Sequence, residues 1–273
     1  MFALQSAPGD FAALAELLLN RFELRVDGAP HRLVEVEFYL HGPEHADPFA
    51  HCDPLQAEAA RWYLHRSGAG YRGGSFKGID LTIGSEGALG GILIRSLRTP
   101  DDVLVCGPSL CVDHLLRALD QADVAGLAAS LAGRDGWTEG PLWLAPVAAP
   151  TPRPVTATAR VGLTLKRAAE RPTMPGYLMK PYRFLTEPSL PKGRVYTALA
   201  LSRQGVIHRD IHEQTGVPYH SLCSYGWWYR EGLRRADLTK FQGRALKVRD
   251  LCEAHGAWAA LYDPPAPAAD QKA

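Results

Sequence analysis

The chain has few cysteines and no long apolar segment. Its five cysteines are odd in number and include no Cys-x-x-Cys pair, so no disulfide framework is indicated. We recognise no signal peptide, and we therefore expect reduced thiols in a cytoplasmic protein. The apolar stretch 11–22 contains Glu16, Asn20 and Arg21 and is too short to span a bilayer, which favours an amphipathic helix packed on the core and excludes a membrane role for it.

The chain also has almost no net charge, but its charges are unevenly distributed. The formal net charge is +1, yet residues 1–150 contain 11 Lys/Arg and 19 Asp/Glu, whereas residues 151–273 contain 19 and 10. A basic half is typical of a protein that binds a polyanion, and it is equally compatible with a solvated basic surface.

Turn, proline and periodicity signals indicate an α+β protein with a mixed, curved β-sheet and packed helices, followed by a small helical domain. Asp27-Gly28 predicts a hairpin between strands 23–26 and 31–40. Further on, we predict a helix over 55–65, strands over 78–84, 90–97 and 155–165, and helices throughout 194–262. The predicted domains are 1–190 and 191–262, and we expect the Pro/Ala-rich tail 263–273 to be disordered.

The segment 33–40 alternates strictly between apolar and other residues, as expected of a strand with one buried face. Glu35, Glu37 and Tyr39 share the face opposite the apolar residues. Either this is an edge strand with a solvated acidic face, or the strand directs carboxylates into a site.

Two later strands each carry a charged residue among aliphatic ones. Asp80 lies with Thr82 on one face of strand 78–84. Arg95 directly follows the aliphatic run Ile92-Leu93-Ile94 in strand 90–97. A charge in so apolar a setting requires a partner or a function. We therefore predict that Glu37, Asp80 and Arg95 surround one pocket, although Asp80 and Arg95 could instead form a structural ion pair.

These residues, in this order, resemble the alkyladenine (3-methyladenine) DNA glycosylase family. The resemblance extends over roughly residues 10–187 and comprises Glu35-Val36-Glu37-Phe38-Tyr39, His51 in the following loop, the segment from Thr82 to Leu97 with Arg95, Gly107-Pro108-Ser109-Leu110, Arg160-Val161-Gly162, and Lys180-Pro181-Tyr182-Arg183-Phe184. Each motif alone is weak, but the five motifs other than the single His51 are moderately specific because they occur in the family's order.

The resemblance implies a monofunctional enzyme that flips a base out of double-stranded DNA and hydrolyses its N-glycosidic bond. Glu37 would be the general base that activates water, and Arg95 would help to hold that water. Tyr39 and His51 would bind the flipped base, unless Tyr39 simply packs on the sheet and His51 caps a helix. The resemblance implies no cofactor and no metal, and it places Lys180 and Arg183 at the DNA.

Several departures from the family pattern bear on the substrate. Thr82 stands where the family has an asparagine that screens purines, and Asp80 adds an acceptor for an exocyclic amino group of the base. The tyrosine that the family inserts into DNA has no certain counterpart, and Tyr71 and Phe76 are both candidates. We therefore expect a non-standard or bulky modified base, in repair or in defence against modified DNA.

The segment 207–219 has the composition of a helix-turn-helix, with one helix ending at Gly216 and the next beginning after Pro218. The second helix mixes aromatic and basic side chains, and its candidate DNA contacts are Trp228, Arg230, Arg234 and Arg235. Packed aromatics and solvated arginines would give the same pattern.

A catalytically inactive DNA-binding protein that uses the helical domain is the alternative function. An RNA or free-nucleoside ligand is a weaker possibility.

Overall fold

Helices and strands are described for residues 10–263 of this computed structural model. The strands are β1 (Phe22–Val26), β2 (Ala29–Gly42), β3 (His45–Ala46), β4 (Trp62–Leu64), β5 (Arg66–Ser67), β6 (Gly70–Tyr71), β7 (Ile79–Thr82), β8 (Leu89–Arg98), β9 (Leu104–Cys106), β10 (Leu142–Pro146), β11 (Thr156–Thr158) and β12 (Arg183–Leu185). The α-helices are α1 (Phe11–Arg21), α2 (Pro108–Ala118), α3 (Val124–Leu131), α4 (Met174–Tyr177), α5 (Arg194–Arg203), α6 (His208–Thr215), α7 (Tyr219–Arg235) and α8 (Val248–Tyr262). Single 3₁₀ turns cover Pro54–Gln56, Gly74–Phe76 and Thr239–Phe241.

The chain divides into two compact units, which we call the sheet unit (residues 1–157 and 182–192) and the helical unit (residues 158–181 and 193–273). The boundary predicted near Pro191 lies close to the division after Lys192. Residues 158–181, which the sequence analysis assigned to the first domain, belong to the helical unit. The predicted tail 263–273 lies, apart from Asp263, outside the described residues.

The sheet unit is built on a curled sheet whose central strand order is β10-β1-β2-β8-β7-β4. Each of these neighbouring pairs is antiparallel. The predicted α+β class is therefore confirmed, but these pairings are antiparallel where a mixed sheet was expected. The reason is local: β1 and β2 form a hairpin, and β7 and β8 follow one another through a short loop, neither of which provides a parallel crossover.

The apolar face of the sheet packs against α1, α2 and α3. Alternate residues of β2, namely Val36, Phe38 and Leu40, join this core. The other face of β2 carries Glu35, Glu37 and Tyr39, as the alternation predicted. A register shift between Leu33 and Val36 interrupts the alternation, and Val34 consequently lies in a separate small cluster with Leu185 and Leu190.

The predicted hairpin turn is present, and one predicted helix is wrong. Asp27 and Gly28 both have positive φ angles, 47° and 76°, as the tight turn between β1 and β2 requires. The segment 55–65 is a single 3₁₀ turn followed by β4. An Asp53–Gln56 capping box starts that turn, and Trp62–Leu64 then pair with β7. The strand expected over 155–165 is limited to β11.

In the helical unit, α5, α6 and α7 enclose a small apolar core formed by Ala198, Leu201, Ile211, Val217 and Leu222. Helix α6 ends at Gly216, whose φ is 68°, and α7 begins directly after Pro218, at the positions predicted. Within residues 10–263, no helix is long and apolar enough to cross a membrane.

Candidate functional site

Glu37 lies in the middle of β2 and is fully buried. Its Oε2 atom accepts a hydrogen bond from the Tyr39 hydroxyl at 2.7 Å and another from Arg95 Nη1 at 3.3 Å. Strands β2 and β8 pair directly, which brings the two predicted catalytic residues together. A carboxylate held in this way, in the interior, has the surroundings of a general base.

Arg95 lies between the two carboxylates of β2. Its Nε donates to Glu35 Oε1 at 3.0 Å, while its Nη1 contacts Glu37. Burial by itself lowers the pKa of Arg95, but the carboxylates of Glu37 and Glu35 outweigh burial and raise the pKa. Arg95 is therefore a permanent cation within the site.

Glu35 belongs to a fully buried ion-pair network. Its Oε1 accepts from Arg183 Nε at 2.5 Å as well as from Arg95, and its Oε2 accepts from the Ser96 hydroxyl. Burial would raise the pKa of Glu35, but the guanidinium groups of Arg183 and Arg95, together with Ser96, hold the pKa below its usual value. The prediction that Arg183 contacts DNA is wrong, because this side chain has no solvent exposure and is paired with Glu35.

A second polar cluster lies on the same face of the sheet. Asp80 in β7 and Glu37 in β2 are both register partners of Leu93 in β8, so roughly 10 Å, two strand spacings, separate their backbones. Asp80 Oδ1 contacts His65 Nε2 at 2.7 Å, and Asp80 Oδ2 accepts from Gln56 Nε2 at 3.1 Å. Asp80 therefore belongs to a histidine cluster, where the sequence analysis had offered an ion pair with Arg95 as the structural alternative.

His51 completes this second cluster. Its ring centroid lies 4.2 Å from that of His65. Burial, and to a smaller extent the proximity of His65, lower the pKa of His51 to about 4, although Asp80 acts in the opposite direction. The ring is thus neutral at pH 7. Its Nδ1 atom is buried and has no hydrogen-bond partner among the described residues. The 3₁₀ turn Pro54–Gln56 is capped by Asp53. The alternative in which His51 caps a helix at this point is therefore wrong.

Both hydrogen bonds of the Thr82 hydroxyl are made with the backbone before β4, and its predicted base-binding role stays a prediction without support from this geometry. The side chain is fully buried, its hydroxyl donates to the Glu58 carbonyl, and the same oxygen accepts from the Arg61 amide at 2.7 Å. These bonds hold the turn that leads into β4.

The remaining predicted contacts differ in exposure. Phe76 is 72% exposed and Tyr71 is 38% exposed, so both wedge candidates are available at the surface of the sheet unit. Lys180 belongs to the helical unit, with its ammonium 4.6 Å from the ring centre of Tyr177.

Helix α7 presents a mixed aromatic and basic face. The residues exposed at helical spacing are His220, Cys223, Trp227, Arg230 and Arg234, which we call the α7 face. Trp228 is only partly exposed, and its ring lies 6.3 Å from that of Tyr225. Trp227, at 53% exposure, is the better surface aromatic. Arg234 and Arg235 both form ion pairs with Glu231.

Sequence reasoning missed Ser96, Gln56 and His65. Ser96 could have been recognised as a polar residue directly after Arg95 in an otherwise aliphatic strand. The register shift at Glu35 allows both Arg95 and Ser96 to reach its carboxylate. His65 and Gln56 were hidden by the mistaken helix over 55–65. If this segment is taken as a strand, Tyr63 and His65 lie on one face and Leu64 on the other. The pairing of β4 with β7 then brings His65 close to Asp80.

Comparison with known proteins gives one distant relative. An uncharacterised protein of Acanthamoeba polyphaga mimivirus is 39% identical over 121 residues, which cover 39% of this chain and 56% of the viral protein. The chain thus spans little more than half the length of that relative. No family model and no solved structure matches the chain.

Proposed function

We propose that this protein is a DNA glycosylase that hydrolyses the N-glycosidic bond of a modified base and leaves an abasic site. The observation that carries the proposal is the buried carboxylate of Glu37, held by the Tyr39 hydroxyl and the Arg95 guanidinium. In this reaction Glu37 takes a proton from water as the water attacks the deoxyribose C1′. Arg95, as a permanent cation, orients the carboxylate and helps to hold that water.

The base would be bound on the same face of the sheet. Tyr39 and His51 offer aromatic rings for stacking, and Asp80 offers an acceptor for an exocyclic amino group. Glu37 has no solvent exposure, so water and base reach it only after a side chain of this face moves. Tyr39 is partly exposed and hydrogen-bonded to Glu37, which makes it the side chain whose displacement would uncover the carboxylate.

A flipping enzyme also needs a group that fills the space left in the duplex. Phe76 suits this role better than Tyr71, because its ring is more exposed and lies in a short turn at the surface. The proposed substrate is a non-standard or bulky modified base, in repair or in defence against modified DNA, because Asp80 adds an acceptor that the family pattern lacks.

The decisive experiment is base release from duplex DNA panels that contain alkylated purines, deaminated bases or hypermodified pyrimidines. Glu37→Gln keeps the size of the side chain and an acceptor for Tyr39 but cannot take a proton. We expect its single-turnover rate to fall about 10²- to 10⁴-fold while DNA affinity stays within about twofold of wild type.

Glu44→Gln is the matched control, since it removes the same charge from an exposed position of the sheet unit; its rate should equal that of the wild type. Full activity in Glu37→Gln would remove Glu37 from the mechanism. DNA binding without base release from any panel would favour the alternative function, an inactive DNA-binding protein, for which the α7 face is the supporting observation.

The α7 face gives a separate prediction for DNA binding. Arg230→Ala combined with Arg234→Ala removes two exposed cations that lie one helical turn apart. We expect weaker binding to all sequences, and a slope of log affinity against log salt that is about two units shallower. Fluorescence anisotropy at several salt concentrations measures both.

Lys166→Ala combined with Arg167→Ala is the matched control, because it removes the same charge from exposed positions of the same unit. If the two double variants weaken binding equally, the effect is general electrostatics and the α7 face has no special role.

A further inference from the structure

His51, His65 and Asp80 form a compact group of potential metal ligands. One ligand-type atom of each residue lies within 4.8 Å of those of the other two. Among them, His65 Nε2 and Asp80 Oδ1 are 2.7 Å apart. Two imidazoles and a carboxylate are a donor set that binds zinc and related divalent ions.

The surrounding residues fix the orientation of this group. Gln56 Nε2 donates to the second oxygen of Asp80 at 3.1 Å, the kind of outer contact that orients a ligating carboxylate. Two glycines make room for the ligands: a Cβ at Gly91 would lie 2.6 Å from Asp80 Oδ2, and a Cβ at Gly78 would lie 2.5 Å from His65 Nδ1. The cluster is therefore built into the sheet.

One ring nitrogen in the cluster is unsatisfied. His51 Nδ1 is buried and accepts or donates no hydrogen bond within the described part of the chain. A buried polar atom without a partner costs about 1–3 kcal/mol. Coordination by this ring would explain why a second histidine is packed at this point.

We propose that His51, His65 and Asp80 bind a single divalent metal ion of the zinc class. Ligand atoms around tetrahedral zinc are about 3.3 Å apart, given metal–ligand bonds of about 2.0 Å. The His65–Asp80 pair therefore has to open by only about 0.6 Å. With three protein ligands, a fourth coordination position remains for water or a bound ligand, as in non-structural zinc sites.

This site is independent of the general-base role of Glu37. The metal site does change the predicted base contacts of His51 and Asp80. With the ion bound, a base would interact with the open coordination position of the metal and not directly with these two side chains. The two proposals can therefore fail separately, and the metal site is tested by binding alone.

The test is equilibrium dialysis of the full chain, first stripped with a chelator, against Zn²⁺, with Co²⁺ absorption as a second readout. We expect one tightly bound ion per chain and a visible spectrum of tetrahedral cobalt. His65→Gln and Asp80→Asn should each weaken binding by about 100-fold or more, and Gln56→Met, which removes no ligand, by about 10- to 100-fold.

His41→Gln is the matched control, since it replaces a partly buried histidine of the same unit outside the cluster. Glu37→Gln should bind Zn²⁺ as the wild type does. Absence of stoichiometric binding in the wild type would overturn the proposal. Binding that survives both His65→Gln and Asp80→Asn would overturn it equally, by assigning the ion to surface histidines. Gln56→Met keeps the test valid if a ligand variant fails to fold.

Discussion

Glu35→Gln should destabilise the sheet unit by about 3–5 kcal/mol, because it removes one charge from a buried network and leaves its partners in place. Arg183 has no solvent exposure and loses its ion pair with Glu35. Arg95 keeps Glu37 but loses its second partner. Urea unfolding, combined with hydrogen exchange of peptides from the sheet unit, measures the effect.

Acid unfolding provides a second readout of the same network. The pKa of Glu35 is lowered in the folded protein, so its ionisation stabilises the fold above the unfolded-state pKa, and that stability is lost as the pH falls through the folded pKa. Glu35→Gln carries no such proton, and its stability should therefore decrease less between pH 7 and low pH.

Glu58→Gln is the control, because it breaks an exposed ion pair with Arg61 in the same unit and should cost less than about 1 kcal/mol. Equal effects of the two substitutions would show that the Glu35 network does not stabilise the protein.

The contrast between Glu37 and Arg183 shows which parts of this site sequence reasoning could reach. Alternation in β2 and a lone arginine in β8 were enough to place Glu37 beside Arg95, because both patterns are local and adjacent strands pair. The burial of Arg183 depends on Glu35, which lies 148 residues away along the chain. No local pattern encodes that contact, and an arginine is ordinarily assigned to the surface.

For the fold, too, local features were predictable and contacts between distant segments were not. The turn at Asp27-Gly28 and the helix boundaries at Gly216 and Pro218 depend on backbone preferences of single residues, and the structure agrees with them. The mistaken helix over 55–65 had a good helical composition, but pairing of Trp62–Leu64 with β7 overrode it. That error concealed His65 and, with it, the cluster at Asp80.

Two glycines within helices have a packing role that only the structure reveals. Helices α7 and α8 pack so closely that a Cβ at Gly256 would lie 1.9 Å from the Tyr229 carbonyl oxygen, and a Cβ at Gly232 would lie 1.9 Å from that of Glu253. Both obstacles are backbone atoms, which cannot rotate away as a side chain can. An added methyl group must therefore separate the helices.

Gly256→Ala should destabilise the helical unit by about 3 kcal/mol or more, at or above the upper end of the usual cost of overpacking. The intrinsic helix preference of alanine recovers only about 1 kcal/mol. Hydrogen exchange should accelerate in peptides from α7 and α8 and remain unchanged in the sheet unit, which locates the damage.

Gly226→Ala makes the same chemical change within α7, where a Cβ meets nothing within 4 Å. It should stabilise the helical unit by about 0.5–1 kcal/mol, so the two substitutions have opposite signs. If both stabilise the protein, α7 and α8 do not pack through these glycines. The exposed α7 face would then depend on a different arrangement of the helical unit, since α8 packs against the opposite side of this helix.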